Sequence, residues 1–371
     1  MEKVQINALQ MFVLIIHFEL GSAILIGPGS AAKQDAWITN LFGLAGGLLL
    51  FFVYYYLYKY YPDIPLTSYL QKITGKWVGS IIAFCYIVYF LYQASRILRD
   101  FGELLVSTIY NNTPLIVVNT CMILTILYGV HKGFEVIARV GELSFGLIYG
   151  LAILGFLIII FSGLIHLGNL QPVLENGLIT ALKEVIVGQT INFPFGEMIV
   201  FTMFLPYVNE QKKVLKVCLG GMLLSGINIM VIAVINISVL GADLLSRTPF
   251  PLLSTIRMIQ FAGFIERLDS FFVLYLIIGG FFKISLYFYA AVIGTADLFK
   301  LKNYSNLNFL LCFMILFGSI VVASNYSEHS YEGGKIIPYF LHWPFQIIIP
   351  IILVTIAFFQ NSKQKNVNLD L

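Results

Sequence analysis

Three ionisable side chains sit inside long apolar stretches of this 371-residue chain: Glu19 in the run 4–32, Glu197 in 185–209 and Lys283 in 270–296. Lys283 is 13 residues from each end of its run, Glu197 is 12 from each end of its own, and Glu19 comes 12 residues after Asn7. If each run is a helix crossing a bilayer, all three share one depth near the midplane. An ionisable group there costs about 2.5–3.5 kcal/mol on insertion scales. Such groups are retained where they pair or line a wet cavity. Glu19, Glu197 and Lys283 therefore form an expected intramembrane charge network, serving either ligand sensing or a purely structural Lys–Glu pair.

A second cluster holds Arg96, Arg99, Asp100 and Glu103. Offsets of 0, 3, 4 and 7 place all four on one helical face, which Tyr89 and Gln93 continue. Arg96–Asp100 and Arg99–Glu103 are candidate i,i+4 pairs. At 1.5 Å per residue, Arg96 lies ~28 Å beyond Trp77, close to the far side of a hydrocarbon core. This face is expected at the outer interface, either as an outer vestibule or subunit contact, or as a self-neutralised stripe meeting water.

Other chemistry lacks its residues. There is no nucleotide-binding loop, no Ser/His/Asp or Cys/His group at catalytic spacing, and no pair of the five histidines at metal-ligand spacing. Cys85, Cys121, Cys218 and Cys312 lie in apolar runs and read as small core residues. The expectation is a non-enzyme that needs no metal or cofactor. A net charge of +3 does not point to nucleic acid.

These residues need long helices to carry them. Hydrophobic residues make up 59% of the chain and charged residues 11%, against roughly 25% charged in soluble domains. That excludes a water-soluble globular or disordered protein. Seven runs carry no Asp, Glu, Lys or Arg: 36–58, 77–95, 104–130, 143–174, 217–242, 303–327 and 336–362. With the three singly charged runs they predict ten transmembrane helices in one polytopic domain over 1–371. With the N-terminus inside, the inner segments hold thirteen Lys and Arg, and the outer ones hold Lys33, Arg247, Arg257, Arg267 and Lys335. The positive-inside rule then puts both termini in the cytoplasm. The apolar stretch 251–261 is too short to span and is expected to lie on, or dip into, the outer face.

Two runs are interrupted. The first reads His17-Phe-Glu-Leu-Gly-Ser-Ala-Ile-Leu-Ile-Gly-Pro-Gly29, and the sixth reads Gln189-Thr-Ile-Asn-Phe-Pro-Phe-Gly-Glu197. Glycine and proline are poor helix-interior residues. Breaks at matching places in two five-span halves, about 7–174 and 178–362, point to an inverted-repeat site at the midplane. A break frees backbone groups that only a ligand, ion or water can satisfy. The pocket is expected at Gly21, Ser22, Ala23, Ile24, Asn192, Phe193, Pro194 and Gly196. Free amides near Ser22–Ile24 would face a carboxylate, and carbonyls or Glu19 would face an amine.

Four stretches carry a family resemblance: Glu19-Leu-Gly-Ser-Ala-Ile-Leu-Ile26, Lys33-Gln-Asp-Ala-Trp37, Leu170-Gln-Pro-Val-Leu174 and Gly263-Phe-Ile-Glu-Arg-Leu-Asp-Ser-Phe271. In this order and at these spacings the chain resembles, over essentially its whole length, the B subunit of GerA-type spore germinant receptors. That family is a branch of the amino acid–polyamine–organocation transporter superfamily. The resemblance implies a leucine-transporter-like fold, a complex with receptor A and C subunits in the spore inner membrane, and sensing of a small nutrient, often an amino acid. It also implies that spans 1, 6 and 8 line the central cavity. Spans 1 and 8 would flank the position that sodium takes in sodium-coupled members, where the Lys283 ammonium could stand instead. The rival expectation is a secondary amino acid transporter, proton-coupled or exchanging. Steady uptake of labelled solute without partner subunits would favour it.

Overall fold

The computed structural model describes residues 5–175, 177–186, 190–259, 268–302 and 305–367. The described chain is helical, with one isolated bridge between Ile6 and Val208. Helix α1 (Ala8–Ile26) starts at a capping box: Asn7 Oδ1 accepts from the Gln10 amide at 2.7 Å, and the Gln10 side chain accepts from the Asn7 amide at 3.1 Å. It ends at Gly27, whose φ of 69° no β-carbon favours. Helices α2 (Ala36–Tyr60), α3 (Leu66–Thr74), α4 (Lys76–Thr108), α5 (Leu115–Lys132) and α6 (Phe134–Phe161) follow. After α7 (Leu178–Ile186) comes a run of turns and 3-10 helix through Phe195–Met203 and Leu205–Tyr207. Helices α8 (Val214–Arg247), α9 (Pro251–Arg257), α10 (Leu268–Leu298), α11 (Ser305–Val321) and α12 (Tyr326–Lys335) lead to a π-helical segment, Pro338–Ile348, and α13 (Ile349–Val367).

Helix α1 is apolar on every side and buried along almost its whole length, packed between α8, α10 and α6. Helix α10 packs chiefly on α4 and α1. Helix α6 is the opposite case, with Leu143, Leu147, Leu154 and Phe161 exposed on a face suited to lipid. Helix α9 does not span. It is the expected short apolar segment, and it buries Leu252, Leu253 and Ile256 against the bundle. The Gly263–Phe271 stretch lies outside the described residues up to 267.

Eight helices among the described residues are long and apolar enough to cross a membrane. A ninth appears if α11 and α12, bent by 101°, count as one span. The expected sixth span is no long helix, so a count of ten does not follow from length and composition. Other boundaries also move. Helix α4 continues to Thr108, beyond the expected end at 95. Helix α5 starts only at Leu115, and α6 occupies 134–161 rather than 143–174.

Candidate functional site

The sixth segment is held open by what surrounds it. Pro194 begins the 3-10 stretch Phe195–Met203, and the Glu197 amide donates to the Pro194 carbonyl at 3.0 Å. The segment lies against glycines of α2. A β-carbon on Gly43 would stand 2.7 Å from the Thr190 carbonyl oxygen, and one on Gly46 the same distance from Ile191 Cδ1. Small residues thus let a non-helical backbone nest on a straight helix. Thr190 Oγ1 donates to the Thr39 carbonyl at 3.1 Å and fixes the segment's entry.

Two of the three expected intramembrane ions are brought together. Lys283 Nζ on α10 lies 2.5 Å from Glu197 Oε2, with both side chains buried. The ammonium also sits 4.9 Å from the Phe18 ring centre and 4.8 Å from that of Phe193, a cation–π cage. Glu19 is fully buried and within electrostatic reach of Lys283 and Glu197. Neither of its carboxylate oxygens has a hydrogen-bond partner among the described residues.

The pocket residues divide. Helix α1 runs unbroken through Gly21, Ser22, Ala23 and Ile24, which corrects the expected break there: their amides belong to the helical ladder and are not free for a carboxylate. The interruption comes later, at Gly27, Pro28 and Gly29, where Asn40 Nδ2 donates to the Pro28 carbonyl at 3.0 Å. Gly21 serves packing. A β-carbon there would lie 2.8 Å from the Gly279 carbonyl oxygen and 3.1 Å from Lys283 Cβ, so this glycine lets α1 and α10 approach closely. Gly196 likewise abuts another span, since a β-carbon would strike Gln346 Oε1. Ala23 and Ile24 line a small, mainly apolar cleft, about 10 Å³ in volume, with Gly27, Pro28, Ile229 and Asn236. Ser22 Oγ and both amide atoms of Asn192 are buried with no hydrogen-bond partner among the described residues. Phe193 touches the ammonium, and Pro194 forms the break.

A polar chain extends from Glu197. Gln93 Nε2 donates to Glu197 Oε1 at 3.4 Å and to the Tyr89 hydroxyl at 3.2 Å. The Tyr89 oxygen and His342 Nδ1 are 3.0 Å apart, and Gln346 Nε2 donates to Tyr89 at 2.8 Å. Neither His342 nor Gln346 is among the site residues expected from the sequence. Their i,i+4 spacing was the available signal, but the π-helix that presents them has none so simple. Such π-helical segments recur at functional sites.

Arg96, Arg99, Asp100 and Glu103 do not form the expected stripe beside water. Arg96, Arg99 and Asp100 are buried beneath the α11–α12 elbow. Arg99 pairs with Glu103 at 2.8 Å, as expected, and its Nη1 donates to the Ser319 and Ile320 carbonyls at 3.3 and 3.4 Å. Arg96 does not pair with Asp100. Its Nη2 donates to the His329 carbonyl at 2.6 Å, and its Nη1 lies 3.7 Å from Glu332. Asp100 instead takes His329 Nε2 at 2.8 Å. His329 carried no signal, because its partners are more than two hundred residues away.

Two of the quoted stretches meet in space. Asp35 Oδ1 accepts from the Leu174 amide at 2.8 Å, and Gln34 Nε2 donates to Glu175 at 2.8 Å. Among the described residues no group of three His, Cys, Asp or Glu could hold a metal ion.

A family model described as spore germination protein matches residues 5–327. Spore germination protein KB of Bacillus subtilis (strain 168) is 46% identical over 365 residues, 98% of each chain. Spore germination protein YndE of the same organism is 27% identical over 312 residues, 81% of this chain and 83% of its own. Among solved structures, MhsT in complex with L-phenylalanine superposes with a TM-score of 0.66 over 96% of this chain and 99% of that one, at 12% identity. That likeness gives the fold as leucine-transporter-like, in a membrane protein whose sixth span is broken. On the family match and the near-full-length identity, the chain belongs to the spore germination protein family.

Proposed function

We propose that the chain is the nutrient-sensing B subunit of a spore germinant receptor, binding a small, amino-acid-like nutrient between α1 and the broken sixth segment. One observation carries this reading. Among the described residues, Ser22 on α1 and Asn192 in the broken segment bury polar atoms without hydrogen-bond partners, in a fold shared with MhsT, whose structure is in complex with L-phenylalanine. An unpaired buried amide costs about 1–3 kcal/mol, and it is retained where a ligand completes it. The halves 7–174 and 178–362 act as inverted repeats, and both termini face the cytoplasm beneath the spore inner membrane. Receptor A and C subunits carry the signal onward, and catalysis plays no part.

The test is Asn192→Leu in spores in which only this subunit is altered. Removing an unpaired amide should stabilise the ligand-free protein by about 1–3 kcal/mol. Losing two ligand hydrogen bonds, at about 0.5–1.5 kcal/mol each, should raise the half-maximal nutrient concentration about tenfold or more. An unchanged dose response, or a destabilised ligand-free protein, would return Asn192 to a structural role.

A further inference from the structure

The buried charge cluster holds two carboxylates and one ammonium. Lys283 is committed to Glu197, 2.5 Å away, and to the faces of Phe18 and Phe193. Glu19 stands within electrostatic reach of both ions but has no hydrogen bond at either oxygen among the described residues. Ser22, three residues further along the same helix and so on the same face, is buried in the same condition, as is Asn192 beside Phe193. Protonation alone does not resolve Glu19, because a buried carboxylic acid still carries a hydroxyl that requires an acceptor.

We infer that Glu19 is the docking carboxylate for the ammonium group of the ligand, so that the site selects a small primary amine, with Ser22 and Asn192 as polar contacts beside it. This rests on the pocket proposed above. Lys283 shows how this part of the core holds an ammonium, by one carboxylate and aromatic faces. With Glu197 already paired to Lys283, Glu19 is the carboxylate left over, and a ligand ammonium gives it a partner. An alkali ion fits the surroundings less well. It asks for a shell of several oxygens, whereas α1 is an unbroken helix around Glu19 and its carbonyls serve the helical ladder.

The experiment uses the full chain purified in lipid nanodiscs, with methylammonium as probe and calorimetry as readout. The parent should bind one methylammonium per chain, and Glu19→Gln should bind none. Lys283→Met should bind two, because it releases Glu197. Sodium, potassium and tetramethylammonium should bind at least tenfold more weakly than methylammonium. Parent-like stoichiometry in Glu19→Gln would overturn the inference. So would displacement of methylammonium by equal concentrations of sodium or potassium, which would mark an ion site instead. If Glu19→Gln does not fold, the competition among cations in the parent still decides. Methylammonium binding reports on Glu19, and the Asn192→Leu spore response reports on the pocket, so either can fail without the other.

Discussion

At the scale of single residues, Gly21 has a packing role that its place beside Glu19 did not announce. A glycine in mid-membrane beside Glu19 reads as room for a ligand, whereas its missing β-carbon makes room for α10. The nearest atoms, the Gly279 carbonyl oxygen at 2.8 Å and Lys283 Cβ at 3.1 Å, are backbone or close to it, and neither can swing away cheaply. Gly21→Val should therefore force α1 and α10 apart, at about 1–3 kcal/mol or more for overpacking. The expected result is a lower melting temperature and reduced abundance in the membrane, together with loss of response. A Gly21→Val protein of normal stability that fails only in sensing would restore the ligand-facing role. The intramembrane ions were legible for a simpler reason: the cost of burying charge holds whatever the packing. Which carboxylate Lys283 takes was not legible, because Glu19 and Glu197 share its depth and only the tertiary path of the sixth segment brings Glu197 to it.

At the scale of elements, the sequence announced helices well and their exceptions unevenly. Pro194 and Gly196 marked the broken sixth segment, because proline lacks the amide that a helix needs. Gly21, Ser22 and Ala23 suggested a second break, but small residues weaken a helix without ending it, and the capping box at Asn7 and burial on all sides keep α1 intact to Ile26. The α11–α12 elbow had one local cue, Asn325, whose side chain caps α12 by accepting from the Glu328 amide at 2.9 Å, but the bend is also braced by distant side chains of α4 that the uncharged run 303–327 does not announce. Arg99 caps the last carbonyls of α11, where the helix dipole favours a cation, while Arg96 and Asp100 grip His329 from two sides. Arg99→Met strands Glu103 and leaves the two carbonyls without that donor. Breaking a buried ion pair from one side costs about 3–5 kcal/mol, less here because Glu103 is partly exposed. Hydrogen exchange over 319–335 should rise at least tenfold relative to mid-α4. Arg99→Lys should restore little, since a point ammonium cannot serve a carboxylate and two carbonyls in one plane. Unchanged exchange in Arg99→Met would show that α12 is held by other contacts.

At the scale of the whole molecule, the question is whether the Lys283–Glu197 pair merely joins α10 to the broken segment or replaces a coupling ion. The pair joins α10 to the broken sixth segment, and Lys283 leaves α10 where Gly21 of α1 abuts it. Its ammonium thus stands between the first and eighth spans, where the resemblance places sodium in sodium-coupled relatives. A tethered cation would make sensing independent of sodium, so the parent's dose response should be the same in sodium-free and sodium-containing buffer. Single substitutions cannot separate the two roles, because either one leaves a buried charge unpaired at about 3–5 kcal/mol. The double variant Lys283→Met with Glu197→Gln can, since replacing a buried pair by neutral groups of similar volume is often close to neutral for stability. If the pair is structural, the double variant should regain both abundance and response. If the ammonium takes part in sensing, abundance should return while the half-maximal nutrient concentration stays at least tenfold above that of the parent. The measurement is that dose response, with and without sodium, beside membrane abundance for the parent, both single variants and the double. A parent that requires sodium, or a double variant that responds as the parent does, would reduce Lys283 to a strut between helices.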